Sequence, residues 1–150
     1  FHFNDSKYSD DDLTAGCLKP YQLFLIFNEL LDLLEGDEIK NPDLAWMIDA
    51  SHNVKDPLED LLQSLDAIAV AYAQSLLIDK KALQYAQDHN DVTLAQEILQ
   101  DAYRTDVRPL IAEARLRAGA TINPIKAYRE IGVREGLTNE RGQNSVSSGL

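Results

Sequence analysis

Two stretches decide the fold of this chain: FHFNDSKYSDDD at residues 1–12 and LAWMID at residues 44–49. Each holds a short apolar run that polar and acidic residues follow at once, which predicts strand ends at Phe1–Asn4 and Leu44–Ile48. Between them, Pro20–Leu34 repeats apolar residues at helical spacing and carries its proline in the first turn. A strand, a loop, a helix and a second strand predict a parallel β/α unit.

The second part of the chain has a pattern that predicts helices. Asp56 is suited to an N-cap, and Pro57 to the first position of a long helix that ends near Leu77. One face of this helix is apolar, and we expect that face in the core or in a subunit contact. Its members are Leu58, Leu61, Leu65, Ile68 and Tyr72. Further start and stop signals predict helices over 79–90, 92–105, 106–119 and 123–134, before a tail at 140–150 that we expect to fray. Residues 1–55 are therefore predicted to form β/α units and residues 56–150 a helical extension.

The composition limits the classes of function. Hydrophobic residues make up 45% and charged residues 26% of the 150 positions, which is typical of a globular domain. The net charge of −11, from 25 acidic and 14 basic residues, argues against binding to nucleic acid or to an anionic membrane. The single cysteine, Cys17, excludes an internal disulfide and indicates a reducing compartment, so we expect a cytoplasmic protein.

Candidate metal ligands follow the two strand ends: His2, Asp10, Asp12 and Asp49. The carboxyl ends of parallel strands are where a β/α barrel keeps its chemistry, and carboxylates with a histidine suit a hard divalent cation. Asp10 and Asp12 are two residues apart and can face the same way in an extended loop. Each candidate also has an ordinary alternative. A lone histidine is often structural, an acidic run is often solvated, and Asp49 or Ser51 can cap the next element.

The chain opens at Phe1 in the middle of a strand pattern and without an initiator methionine. We therefore expect it to be the C-terminal piece of a larger metalloenzyme, with an incomplete site. Two strands alone do not make a stable closed sheet. No Gly-rich phosphate loop, CxxC pair or Ser nucleophile elbow occurs in the sequence, and Cys17 has no readable Cys–His arrangement around it. We interpret Cys17 as structural or incidental.

Five segments carry a resemblance to a known family: HFNDSKYSDDDLTAG at 2–16, PYQLFLIFNEL at 20–30, WMIDASHNVKDPLEDLLQS at 46–64, AYAQSLL at 71–77 and AYRTDVRPLIAEARLRAG at 102–119. Through them the chain resembles the C-terminal part of L-rhamnose isomerase, in particular the broad-specificity bacterial type. The resemblance implies a (β/α)8 TIM barrel of the xylose-isomerase-like kind, whose last β/α units lie in this chain. It implies that the helical extension packs between the subunits of a homotetramer. It also implies interconversion of L-rhamnose and L-rhamnulose with two divalent cations, commonly manganese, cobalt or magnesium.

The resemblance assigns roles to single residues. It matches His2 to the strand-seven histidine of the structural metal, and Asp49 to the strand-eight aspartate that completes this site and faces the sugar. It matches Asp10 and Asp12 to the loop aspartates of the catalytic metal, and Ser51 to a position near the substrate pocket. Two cations would polarise O1 and O2 of the sugar as Lewis acids, with Asp49 as the catalytic carboxylate. These residues fit either a hydride shift or an enediol route.

Two other interpretations stay open. A related TIM-barrel sugar isomerase or epimerase would share the metals and carboxylates but act on another sugar. A non-catalytic helical interaction fragment would use the helices from Asp56 onward for oligomer contacts alone. The family's bridging carboxylates, its further histidine ligand and its lysine have no counterpart in this chain. We therefore expect these 150 residues to be catalytically silent in isolation.

Overall fold

A computed structural model describes the chain over residues 1–9, 11–35, 45–50, 56–133 and 135–136. Two short strands and six helices lie in these ranges. The first part contains β1 (His2–Phe3), α1 (Pro20–Glu35) and β2 (Met47–Ile48). The second part contains α2 (Pro57–Ser75), α3 (Lys80–Asp88), α4 (Val92–Arg104), α5 (Arg108–Arg117) and α6 (Pro124–Glu130). The described residues are thus mostly helical with a small sheet, and the eight-stranded barrel stays a prediction.

The two strands pair in parallel, with His2 opposite Met47 and Phe3 opposite Ile48. The ladder continues beyond them, because the Asp49 N–H donates to the Phe3 carbonyl at 3.0 Å. Parallel neighbours require a crossover connection, and α1 lies in that connection. The predicted parallel β/α unit is therefore confirmed.

β2 is shorter and more exposed than predicted. The apolar run predicts a buried strand over Leu44–Ile48, but the strand covers only Met47–Ile48, and Leu44 lies outside the described residues. The Met47 residue is 52% exposed and Trp46 is 42% exposed. The prediction of a buried strand is wrong for these residues. An apolar run is buried only where another element covers it, and no element in the described part of the chain covers Met47.

An aromatic cluster holds the small sheet on the helices. Phe3 points into the core, with ring centroids 5.7 Å from Phe27 of α1 and 5.5 Å from Trp46. Phe27 in turn lies 5.5 Å from Trp46 and meets Tyr72 of α2 edge-on at 5.8 Å. Aromatic pairs at these distances add stability beyond the area they bury. The cluster therefore fixes β1 and β2 against both α1 and α2.

The apolar face predicted for α2 does not lie in the core. Its exposed members are Leu58, Leu61, Leu65 and Tyr72, while Ile68 is half-buried against the core. The buried residues of the helix are small or polar instead: Glu59, Ser64, Ala71, Ala73, Gln74 and Ser75. Of the two predicted locations, the core is therefore wrong for most of these positions, and a subunit contact stays a prediction. Periodicity shows that one face is apolar, but it cannot show which face α1 contacts.

The start signals of α2, α3, α4 and α6 are confirmed, whereas α5 begins at Arg108 after Val107, which has no side-chain cap, and not at the predicted Asp106. The Asp56 carboxylate caps α2 by accepting the N–H of Glu59, and Asp79 and Asp91 cap α3 and α4 in the same way. Gly119 follows α5 with a φ of +67°, the left-handed conformation that commonly ends a helix. α6 ends at Glu130 in the structure, earlier than the predicted residue 134, which lies outside the described residues.

Two ion pairs connect the last helices to α2. The Arg115 guanidinium of α5 lies 2.9 Å from the Asp66 carboxylate, and Arg129 of α6 lies 2.5 Å from Glu59.

No single helix in the described ranges is long and apolar enough to cross a membrane. α2 and α3 pass such a test of length and composition only when taken together, and they are bent by 70°.

Candidate functional site

The site begins at the carboxyl ends of β1 and β2. Successive side chains of a strand alternate between its faces, so His2 and Asn4 lie on the face opposite to Phe3, which points into the core. The strand register, continued by one residue, places Asp49 opposite Asn4 on that same outer face. The buried Phe3 side chain anchors this segment. The side chains of His2, Asn4 and Asp49 on the outer face are accessible to solvent or to a ligand.

The structure brings His2 and Asp49 together, as predicted. The Nδ1 atom of His2 lies 3.3 Å from Oδ2 of Asp49, and the two side chains are 60% and 62% exposed. A polar contact this exposed contributes at most roughly 0–1 kcal/mol to stability. Two ligands that each lie about 2.1 Å from one octahedral cation, at a right angle, are separated by about 3 Å. The spacing of His2 and Asp49 therefore fits two ligands of one cation.

The pair is not a complete metal site by itself. Within the described ranges, no group of three or more His, Cys, Asp or Glu side chains is placed to hold a metal ion. A hard cation prefers about six ligands, so the remaining positions need water, substrate or residues from elsewhere in the protein. Two of the predicted site residues, Asp10 and Ser51, lie outside the described residues.

Asp12 lies on the loop over residues 5–19, which we call the acidic loop. Its φ of +47° places Asp12 in the left-handed region, which aspartate tolerates better than most residues. The Asn4 side-chain amide donates to Oδ1 of Asp12 at 2.8 Å, so this candidate ligand is tied to the end of β1. The other oxygen, Oδ2, receives no hydrogen bond from any residue that the structure describes. Asp12 thus has one fixed oxygen and one that can accept a ligand.

The Asp11 carboxylate, unlike that of its neighbour Asp12, binds backbone N–H groups of its own loop. Its Oδ2 accepts the backbone N–H groups of Tyr8 at 2.8 Å and Lys7 at 2.7 Å. These hydrogen bonds, the one from Tyr8 most strongly, hold the pKa of the Asp11 carboxyl below its ordinary value. The carboxylate therefore stabilises the turn of the acidic loop.

Asp5 anchors the acidic loop at both ends. Its buried carboxylate accepts three backbone N–H groups at 2.8 Å, from Ser6, Leu18 and Lys19. Its backbone exchanges two hydrogen bonds with Leu13, at 2.9 and 2.7 Å. The negative charge also lies next to the start of α1, where it is favourable. No pattern in the sequence singles out Asp5 among the four aspartates in this loop, because its partners are 13 and 14 residues away.

The remaining side of the acidic loop contacts α2. The Thr14 hydroxyl donates to the Asp60 carboxylate, and the Ala15 N–H donates to the Ser64 hydroxyl at 3.1 Å. Cys17 lies nearby, and desolvation raises the pKa of its thiol, with the negative charge of Asp5 raising it further. A thiol that holds its proton is a poor nucleophile, which agrees with the interpretation that Cys17 is structural or incidental.

Comparison with known proteins points to sugar isomerases. The chain is 52% identical, over 99% of its length, to a protein of Mesorhizobium japonicum named as a probable sugar isomerase. It is 50% identical, over 94% of its length, to a probable sugar isomerase of Rhizobium meliloti. The chain covers 34% and 33% of these two proteins, so it spans about a third of the length of the curated relatives it matches. No family model matches the chain.

Proposed function

We propose that this chain is part of a metal-dependent aldose–ketose isomerase that interconverts L-rhamnose and L-rhamnulose. The observation that carries the proposal is the pairing of His2 with Asp49 at the carboxyl ends of adjacent parallel strands. It occurs in a chain that is 52% and 50% identical to two proteins named as probable sugar isomerases. The choice of L-rhamnose rests on the family resemblance in the sequence motifs.

Four residues would hold two divalent cations, for which manganese is the best candidate and cobalt or magnesium the alternatives. His2 and Asp49 would bind one cation, and Asp12 with Asp10 the other. The donors are carboxylate oxygens and an imidazole nitrogen, which suit these metals. A zinc site rich in thiolates would need cysteine ligands instead. When bound, the cations would polarise the two sugar oxygens between which hydrogen moves.

The residues of the chain itself supply binding and orientation. The Asp49 carboxylate is accessible, so it can accept a hydrogen bond from a sugar hydroxyl and fix the reacting end of the sugar. The Asn4 amide binds Oδ1 of Asp12 and so fixes the orientation of the carboxylate. The second oxygen, Oδ2, therefore keeps a defined direction. We include Ser51 as a substrate contact on the family resemblance alone.

We also propose the architecture that the resemblance implies. The parallel β1–β2 pair with α1 would be the last part of a (β/α)8 TIM barrel, and the helices from α2 onward would contact other subunits of a homotetramer. Exposed apolar residues on α2 support the second point, since contiguous apolar surface often marks a protein contact. They are Leu58, Leu61, Leu65 and Tyr72.

The test is isomerisation by the full-length protein. Purified protein with manganese is incubated with L-rhamnose and, separately, with a panel of other aldoses, and the products are identified by NMR. We expect L-rhamnulose to form from L-rhamnose with the highest kcat/KM of the panel. A higher kcat/KM on another aldose would favour a related isomerase, and an aldose product would favour an epimerase.

A second experiment addresses the interaction-fragment interpretation, which the exposed face of α2 favours. Size-exclusion chromatography and manganese titration are performed on the full-length protein and on its Asp49→Asn variant. We expect both proteins to assemble alike and the variant to bind manganese more weakly. Assembly without any manganese binding in either protein would support a purely structural role for this region.

A further inference from the structure

We infer that α2 positions the candidate metal ligand Asp12, through Asp60 and Ser64. This inference rests on the proposed function, because it requires that Asp12 bind a metal. It gives the helical extension a direct part in building the site, in addition to any contact between subunits.

Contacts with α2 begin two residues after Asp12. The Thr14 hydroxyl donates to the Asp60 carboxylate, and the next residue, Ala15, donates its N–H to the Ser64 hydroxyl at 3.1 Å. Ser64 is fully buried and Ala15 is 2% exposed, so no water replaces their bond if it is lost. Asp60 and Ser64 lie one helical turn apart on α2, and together they fix both the position and the direction of the segment at Thr14 and Ala15.

Steric fit adds a third contact between the acidic loop and α2. Gly16 has a φ of +73°, and a Cβ atom built on it would lie 3.1 Å from the Ala67 Cβ on α2. A contact of that length is tighter than ordinary packing. The loop backbone therefore lies directly on α2, against a helix face whose residues Ser64 and Ala67 are small.

On the other side, hydrogen bonds connect Asp12 and its neighbour Leu13 to the segment that follows β1. Asn4 binds Oδ1 of Asp12, and the backbone of Leu13 pairs with that of Asp5. Asp12 thus lies between a hydrogen-bonded contact with the end of β1 and hydrogen-bonded contacts with α2. Groups that orient a metal ligand typically change metal affinity by about 10–100-fold when they are removed. A short loop that is held on one side only would leave the Asp12 carboxylate less well placed.

The experiment compares matched variants of the full-length protein. Thr14→Val removes the hydroxyl and keeps the shape, whereas Thr14→Ser keeps the hydroxyl. Ser64→Ala removes the acceptor of the Ala15 N–H. Its control is Ser75→Ala, because Ser75 is equally buried on the same helix but donates to Tyr72 of its own helix at 2.7 Å. Asp12→Asn identifies the manganese site that depends on Asp12.

The readout is the manganese dissociation constant of that site, measured by the EPR signal of free Mn²⁺. We expect Thr14→Val and Ser64→Ala to raise this constant about tenfold, and Thr14→Ser and Ser75→Ala to change it less than about twofold. Saturating manganese should restore kcat in Thr14→Val. If Ser64→Ala does not fold, the pair Thr14→Val and Thr14→Ser decides the outcome.

Two results would overturn the inference, and they are distinguishable. If Asp12→Asn weakens manganese binding while Thr14→Val and Ser64→Ala do not, α2 does not position Asp12, and the proposed function stands. If Asp12→Asn leaves manganese binding unchanged, Asp12 is not a ligand, and the proposed assignment of the second metal fails together with the inference.

Discussion

Substitution of Asp5 should release the acidic loop without unfolding the protein. Asp5 is 6% exposed, and its carboxylate accepts three backbone N–H groups, one on Oδ1 and two on Oδ2. In Asp5→Asn the amide oxygen can replace Oδ2 and keep the bonds to Leu18 and Lys19. The amide nitrogen would then face the Ser6 N–H, which loses its acceptor, and the two remaining bonds lose the charge that strengthens them.

The expected cost follows from these contacts. Leaving one buried donor unsatisfied costs about 1–3 kcal/mol, so we expect about 2 kcal/mol for Asp5→Asn. Asp5→Ala removes all three acceptor contacts, each with a net value of about 1 kcal/mol or more, so we expect at least about 3 kcal/mol. Because a factor of ten corresponds to about 1.4 kcal/mol, local opening should increase roughly 30-fold in the first variant and roughly 150-fold in the second.

Hydrogen exchange measured by mass spectrometry on the full-length protein reports this opening directly. Peptides that contain the Leu18 and Lys19 amides should exchange faster in Asp5→Ala, whereas peptides from α4 should be unchanged. Asp11→Asn is the control, since Asp11 accepts two N–H groups of the same loop but is exposed, and water can replace those bonds. Equal exchange in Asp5→Ala and wild type, or an effect of Asp11→Asn as large as that of Asp5→Ala, would refute the reasoning.

Three further predictions concern the site and its loop. Asp49→Asn in the full-length protein should nearly abolish isomerisation and weaken manganese binding while circular dichroism stays unchanged; normal turnover would show that Asp49 is only a cap. Because the pKa of Asp11 is lowered on folding, its contribution to loop stability is present above the ordinary carboxyl value of 3.8 and lost as the pH falls below it. Hydrogen exchange at several pH values, compared with the intrinsic exchange rate at each pH, would reveal this loss as lower protection of the loop amides in acid. Gly16→Ala should destabilise the protein more than Gly119→Ala: both glycines have positive φ, which costs an alanine about 1 kcal/mol, but only Gly16 would also crowd Ala67; equal shifts in Tm would contradict this.

Local signals in the sequence predicted most of the helix starts and the parallel strand pair. Asp56, Asp79 and Asp91 each cap a helix because the cap depends on a donor only three residues away. The proximity of His2 and Asp49 also followed, since parallel strands bring their carboxyl ends together. The assignment of metal roles to these residues stays a prediction, because proximity does not show what they bind.

Features that depend on distant partners could not be predicted. The burial of Asp5 depends on amides that meet it only after the acidic loop closes, and the exposure of Leu61 and Leu65 depends on which face of α2 meets α1. The contact of Ser64 with Ala15 joins residues 49 positions apart, and neither residue type indicates the other. A sequence pattern identifies an element and its faces, whereas tertiary packing decides what each face contacts.

The two faces of α2 bring the catalytic and the interaction interpretations together. The inward face carries Ser64 and Ala67 against the acidic loop, and the outward face carries leucines such as Leu61. Oligomer contact alone does not require the hydrogen bond between the Ser64 hydroxyl and the Ala15 N–H, which joins α2 to the loop that carries Asp12 and also stabilises the fold. A helix that served the site alone would gain nothing by exposing a row of leucines to water. Both features on one helix are explained if a subunit contact on the outward face holds α2 in place, and α2 in turn holds Asp12.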